Sequence, residues 1–262
     1  MSTEAVGASR AARDAFAARA QARAGRRVVR NVATALLFMG AIFWGVYLVI
    51  TIAVPLIVHA AGGVMGGGVM TGAEYSARWF ALSVGVGIFA GTVGTHLAAG
   101  GTRRALWGGS VRASLLGSVA FGLLFSVGML VEHGLFGLLG WTTELRLGSM
   151  LGPEDAWFAV SAVAEAVVIV TYVVVGMAIS AGFYSHSPWV GILFVPVGLV
   201  LCLLVEGATR TGAGDDILTA LLGPGALPGS VVVGVPAGLL VLCVAGAWYW
   251  WQVRSIRLRP AR

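Results

Sequence analysis

Two stretches of this 262-residue chain carry residue types that could do chemistry. The first is Glu165, about eight residues into the apolar run 157–179 and the one carboxylate that hydropathy places well inside such a run. An ionisable group at membrane depth is costly to hold and defaults to a role in substrate contact or proton handling. The structural alternative is a protonated or hydrogen-bonded residue, held by Ser161 one turn earlier or by a small residue of another helix. The second stretch is Gly100-Gly101-Thr102-Arg103-Arg104-Ala105-Leu106-Trp107-Gly108-Gly109-Ser110, a polar break between long apolar segments. Arginine and tryptophan are the types enriched at interface hot spots, so Arg103, Arg104 and Trp107 could dock on a partner at the membrane surface. Positive charge and an interfacial tryptophan also anchor topology, and that alone would account for them.

Other chemistries find little footing. His59, His96, His133 and His186 are spread over four segments with no HExxH or comparable ligand spacing, so no metal site is expected. There is no G-x-S-x-G elbow and no pair of aspartates within the apolar runs, leaving an intramembrane hydrolase without support. All 17 basic residues are arginine. Without lysine there is no G-x-x-x-x-G-K-[ST] phosphate loop, no Schiff base and no lysine general base, so any ATP must be bound by a partner chain. Cys202 and Cys243 fall within the fifth and sixth runs and read as small core residues. No cofactor and no enzymatic activity are expected.

The elements that must position these residues follow from composition. The chain is 58% hydrophobic and 11% charged with a mean hydropathy of +0.90, too apolar to cover a soluble globule. A span needs about 20 apolar residues to cross a hydrocarbon core of roughly 30 Å. Six runs qualify, at approximately 32–57, 79–99, 111–131, 157–179, 189–206 and 230–251. The expected fold is therefore an all-α membrane protein of six transmembrane helices. It divides into a basic N-terminal segment 1–31, a transmembrane domain 32–251 and a basic tail 252–262.

Arginine distribution sets the orientation. Arg10, Arg13, Arg19, Arg23, Arg26, Arg27 and Arg30 precede the first run, Arg103, Arg104 and Arg112 surround the second break, and Arg254, Arg257, Arg259 and Arg262 follow the last run. Only Arg78, Arg146 and Arg210 fall in the alternate loops, together with Glu74, Glu132, Glu144, Glu154, Asp155, Glu206, Asp215 and Asp216. Arginine excess marks the cytoplasmic side, so both termini are expected in the cytoplasm and the protein in the cell membrane.

Residues 1–31 read as an interfacial helix or a solvated arm, drawn to anionic headgroups in either case, with nucleic acid an improbable partner. The run after Arg26-Arg27 is too long for the core of an export signal and is expected to be retained. The glycine-rich segment 59–78 reads as a flexible connection. Small residues recur every fourth position at Ser83, Gly87, Gly91, Thr95 and Ala99, and again at Ser110, Ser114, Ser118, Gly122 and Ser126. Such ridges let helix backbones approach in lipid, and spans two and three are expected to pack tightly as an antiparallel pair. Segment 132–156, with Trp141 and the patch 135–139, is expected to lay a short helix along the outer interface. In 207–229, Asp216 is expected to cap a two-turn helix that Gly223-Pro224-Gly225 ends. Trp248, Tyr249, Trp250 and Trp251 before Arg254 form an aromatic belt at the inner face.

The segment Gly100–Gly108 between a second and a third span resembles the G-x-[TS]-R-[RK]-x-x-[FW]-x-G loop common in bacterial type-2 ABC export permeases. The layout is similar as well: a basic N-terminal segment, six spans, cytoplasmic ends, and a segment 207–229 placed like their external re-entrant helices. The basic-free connection 180–188 and the long loop 132–156 depart from that pattern. The resemblance implies that the loop is a coupling element in which Thr102, Arg103, Arg104 and Trp107 dock on an ABC ATP-binding subunit. It also implies that a second permease copy or paralogue completes the substrate path. Two other classes stay open from the residues alone: a non-transporting assembly, anchoring or immunity subunit, and a proton- or ion-coupled carrier that depends on Glu165.

Overall fold

A computed structural model describes residues 3–141, 157–223, 225–227 and 231–256, and among them the secondary structure is entirely helical. Seven helices follow in order: α1 (Thr3–Ala60), α2 (Val69–Ala98), α3 (Arg103–Leu138), α4 (Trp157–Ser185), α5 (Pro188–Thr209), α6 (Gly212–Leu222) and α7 (Val231–Arg254). All but α6 are long and apolar enough to cross a membrane, so six candidate spans are present. Glu144, Arg146, Glu154, Asp155, Pro224, Arg257, Arg259 and Arg262 lie outside the described residues.

Burial singles out α4. Its apolar window is 89% buried, against 17–44% in the other five, so α4 is the axis of the bundle and the others face lipid on one side. Its sequence gives the reason: nearly every position from Val167 to Ala181 is apolar or small, leaving no polar face to turn outward. α2 crosses α4 at backbone distance. A Cβ on Gly176 would collide with the Leu82 carbonyl oxygen, and one on Gly85 with that of Val173. α3 packs on α4 in the same manner, with Gly122 against the Ala162 carbonyl.

The second large interface is between α1 and α3. Val28 meets Gly109, Leu36 meets Gly117 and Gly40 meets Phe121, three pairs with the same sequence offset, so the two helices run parallel. Trp44 and Phe125 extend the series as an edge-to-face pair with centroids 6.3 Å apart.

Several expectations are revised. Spans two and three touch only lightly; α2 packs on α4, and α3 on α1 and α4. The α3 ridge is used against those partners, whereas Ser83, Gly87, Gly91 and Thr95 of α2 face outward. Small residues every fourth position define a face without naming what covers it. The basic stretch from Thr3 is helical and runs without a break into the first span, as one 58-residue helix. The patch 135–139 belongs to α3 and its C-cap, where Trp141 packs on Phe136 at 5.3 Å. α6 starts at Gly212, so Asp216 lies within it and does not cap it. Of the two cysteines, Cys202 is buried and Cys243 is exposed.

Replacing Gly176 by valine forces a side chain into the Leu82 carbonyl and should separate α2 from α4. We expect a clear drop in the thermal midpoint in detergent, corresponding to at least about 1–3 kcal/mol, whereas Gly87→Ala on the outward face should leave the midpoint unchanged.

Candidate functional site

The break at 100–110 is a tight turn followed by helix, not an extended loop. α2 closes with Gly100 at φ +77°, where the Gly101 amide donates to the His96 carbonyl at 2.9 Å, a bond that returns the chain sharply. Thr102 then caps α3, its hydroxyl accepting from the Ala105 amide at 3.1 Å. Arg103 and Trp107 point back into the protein. The Arg103 Nε and Nη2 donate to the Ile256 carbonyl at 3.0 and 2.6 Å, and the Trp107 indole donates to the Gly246 carbonyl at 3.0 Å. One turn on, Ser110 and Tyr249 hydroxyls bond at 3.0 Å. The start of α3 is thus clamped to the end of α7, with Trp107 and Trp250 in ring contact at 5.5 Å. Arg104 is exposed and has no hydrogen bond or ion pair among the described residues, so it is the projecting cation of the turn.

At the opposite end lies a cluster that hydropathy could not assemble. Arg78 is 1% exposed and sits among three carboxylates from three helices. Its Nη2 donates to Glu165 Oε2 of α4 at 2.8 Å and to Glu74 of its own helix, and its Nη1 donates to Glu206 Oε1 of α5 at 3.0 Å. Glu206 also accepts from the Tyr172 hydroxyl at 2.8 Å and, through Oε2, from the Gly214 amide at 2.7 Å. Glu165 is therefore held by Arg78 rather than by Ser161. Its Oε1 and the Arg78 Nε have no partner among the described residues.

The α5–α6 turn closes this cluster on the outside. α5 ends with Arg210 in the left-handed region at φ 56°, stitched by the Thr211 amide to the Glu206 carbonyl at 2.9 Å. Gly212 follows at φ +65°, and a Cβ there would collide with Arg78 Nη1. Arg210 pairs with Asp215 at 3.2 Å. Burial pushes the Asp215 carboxyl above the usual carboxylate range, and Arg210 pulls it part of the way back.

The sequence reading places Arg78, Glu74, Glu206 and Glu132 in the connections between spans, whereas the structure sets all four within helices. A charge at the edge of an apolar run reads as a boundary, although the Glu74–Arg78 spacing of one helical turn is a signal that both lie on one helix. Glu132 is buried in α3, where it accepts from the Val69 and Met70 amides and so caps α2, whose own N-cap, Gly68, has no side chain to do it.

One guanidinium facing three carboxylates leaves a formal excess of two negative charges in a buried site. Arg78→Met strips the cation that faces these carboxylates and should cost about 3–5 kcal/mol of stability, seen as loss of accumulation or a large fall in the thermal midpoint. Glu165→Gln lowers the charge excess while keeping an acceptor for Arg78, and should leave the midpoint unchanged or raised. Glu206→Gln, at the centre of three hydrogen bonds, should cost more than Glu165→Gln in the same assay.

No family model, no curated protein and no solved structure matches the chain.

Proposed function

We propose that this chain is the membrane-spanning subunit of an ATP-driven exporter in the cell membrane, with both termini cytoplasmic and a separate ABC ATP-binding subunit docking at the α2–α3 turn. The observation that carries this reading is the clamped turn. Arg104 projects from it, while Arg103, Trp107 and Ser110 bond it to α7. α7 packs along α4, which carries Glu165, so a load applied at the turn passes through packed helices to the charge cluster at the far end. The resemblance of Gly100–Gly108 to the type-2 export permease loop supports the same assignment, with a second permease copy or paralogue enclosing the path. α6 fits the position of the family's external helices; Leu221 and Leu222 on it are exposed. A partner nucleotide would shift the bundle between two states only through differential affinity for them.

A second reading, a proton- or ion-coupled carrier, is favoured by the cluster around Arg78, since charged groups inside membrane bundles mark ion pathways and proton relays. The two separate in one purification. Recovery in mild detergent should bring down a stoichiometric ATP-binding subunit, and Arg104→Ala should cut that recovery at least about tenfold, the loss of roughly 1.4 kcal/mol at an interface hot spot, with the thermal midpoint unchanged. Transport that persists without any ATPase partner and stops on Glu165→Gln would establish the carrier instead.

A further inference from the structure

Where α1 passes the start of α3, small residues on both helices hold the backbones beside an open cavity of about 490 Å3. Ala18, Ala22 and Gly25 line one wall, and Gly108 and Gly109 the other. Arg26, Arg104 and Arg112 rim it, joined by Gln21 and by the edge of Trp107. Among the described residues no carboxylate lines the cavity, and none of the three guanidiniums has a hydrogen bond or ion pair. This contrasts with Arg78, Arg103 and Arg210, each of which is engaged by acceptors of the protein itself. Three unneutralised arginines around one cavity make an anion site, and guanidinium geometry favours a phosphate, whose oxygens accept in pairs.

The position selects the source. The cavity sits at the end of the bundle where the apolar spans begin, and its Trp107 is fixed by the bond to Gly246. On the same side as Arg112 and one turn further into the span, Leu116 is exposed, and Leu37 and Phe38 of α1 are exposed at a similar depth. A headgroup in the cavity would therefore continue into acyl chains lying on an apolar helix surface, an arrangement no soluble phosphate can use. We propose that the α1–α3 cavity binds the phosphate of an anionic phospholipid, of the phosphatidylglycerol class, from the arginine-rich leaflet. Basic pockets between spanning helices are suited to such headgroups.

The test uses the purified full-length chain in zwitterionic detergent, titrated with phosphatidylglycerol, phosphatidylcholine, glycerol 1-phosphate or inorganic phosphate, with binding read by native mass spectrometry and by thermal midpoint. Phosphatidylglycerol should bind and raise the midpoint, while phosphatidylcholine and inorganic phosphate should do neither. The triple variant R26Q/R104Q/R112Q should lose on the order of a hundredfold in affinity, from about fivefold for each arginine at a membrane surface. The variant R13Q/R19Q/R23Q removes the same charge from exposed positions outside the cavity and should keep the preference. Equal loss in both triple variants would reduce the effect to general basicity and overturn the site. Equal binding of glycerol 1-phosphate or inorganic phosphate would overturn the lipid as occupant, and equal response to both lipids would overturn the charge recognition.

Discussion

Arg78 is the residue on which one end of the bundle depends. Its guanidinium reaches α4 and α5 from α2, and its neighbour Gly212 brings the α5–α6 turn down onto the same group. In lipid no water is available to solvate such a charge if the helices drift apart, so the cluster admits one relative placement of four helices and penalises the rest. Its contribution is better described as selection of an arrangement than as net stability, because desolvating four ionisable groups offsets much of what their attraction returns.

The two ends of the molecule are held by different physics. At the Arg78 end, charge pairing dominates, and even the helix cap on α2 is supplied by a carboxylate from α3. The end at the α2–α3 turn has no carboxylate in its clamp and uses backbone carbonyls, hydroxyls and rings as partners: Arg103 on one carbonyl, Trp107 on another, Ser110 with Tyr249, and the Trp107–Trp250 contact. Between them, glycines at 85, 122 and 176 bring backbones together where dispersion is the available attraction. α4 runs through all three zones, which is why it is both the most buried helix and the carrier of Glu165.

The number of candidate spans and the place of Glu165 within the fourth of them were legible in the sequence, because hydropathy and length suffice for them. The capping of α3 by Thr102 was not, although its residues were singled out; a polar break reads as a loop until hydrogen bonds show it to be a turn and a helix start. The charge cluster was hidden for a different reason. Hydropathy is a one-dimensional average, and Arg78 and Glu206 lie at opposite ends of separate runs, 128 residues apart, so that each looks like a boundary until packing brings them together. Helix pairing failed as well, since a ridge of small residues at Gly87 and Gly91 is indistinguishable in sequence from the buried glycines at 85 and 176.

The uninterrupted length of α1 has a mechanical meaning. At 1.5 Å per residue its 58 residues make a rod of about 87 Å, nearly three times the hydrocarbon thickness. The constant α1–α3 offset puts residue 22 level with the start of α3, so residues 3–21 carry the helix roughly 30 Å beyond the turn, exposed from residue 12 onward. Along the seam the same helix is gripped by α3 as far as Trp44, and Tyr47 is hydrogen-bonded to Ser76, two residues from Arg78, so one continuous helix joins the arginine-rich extension to the charge cluster.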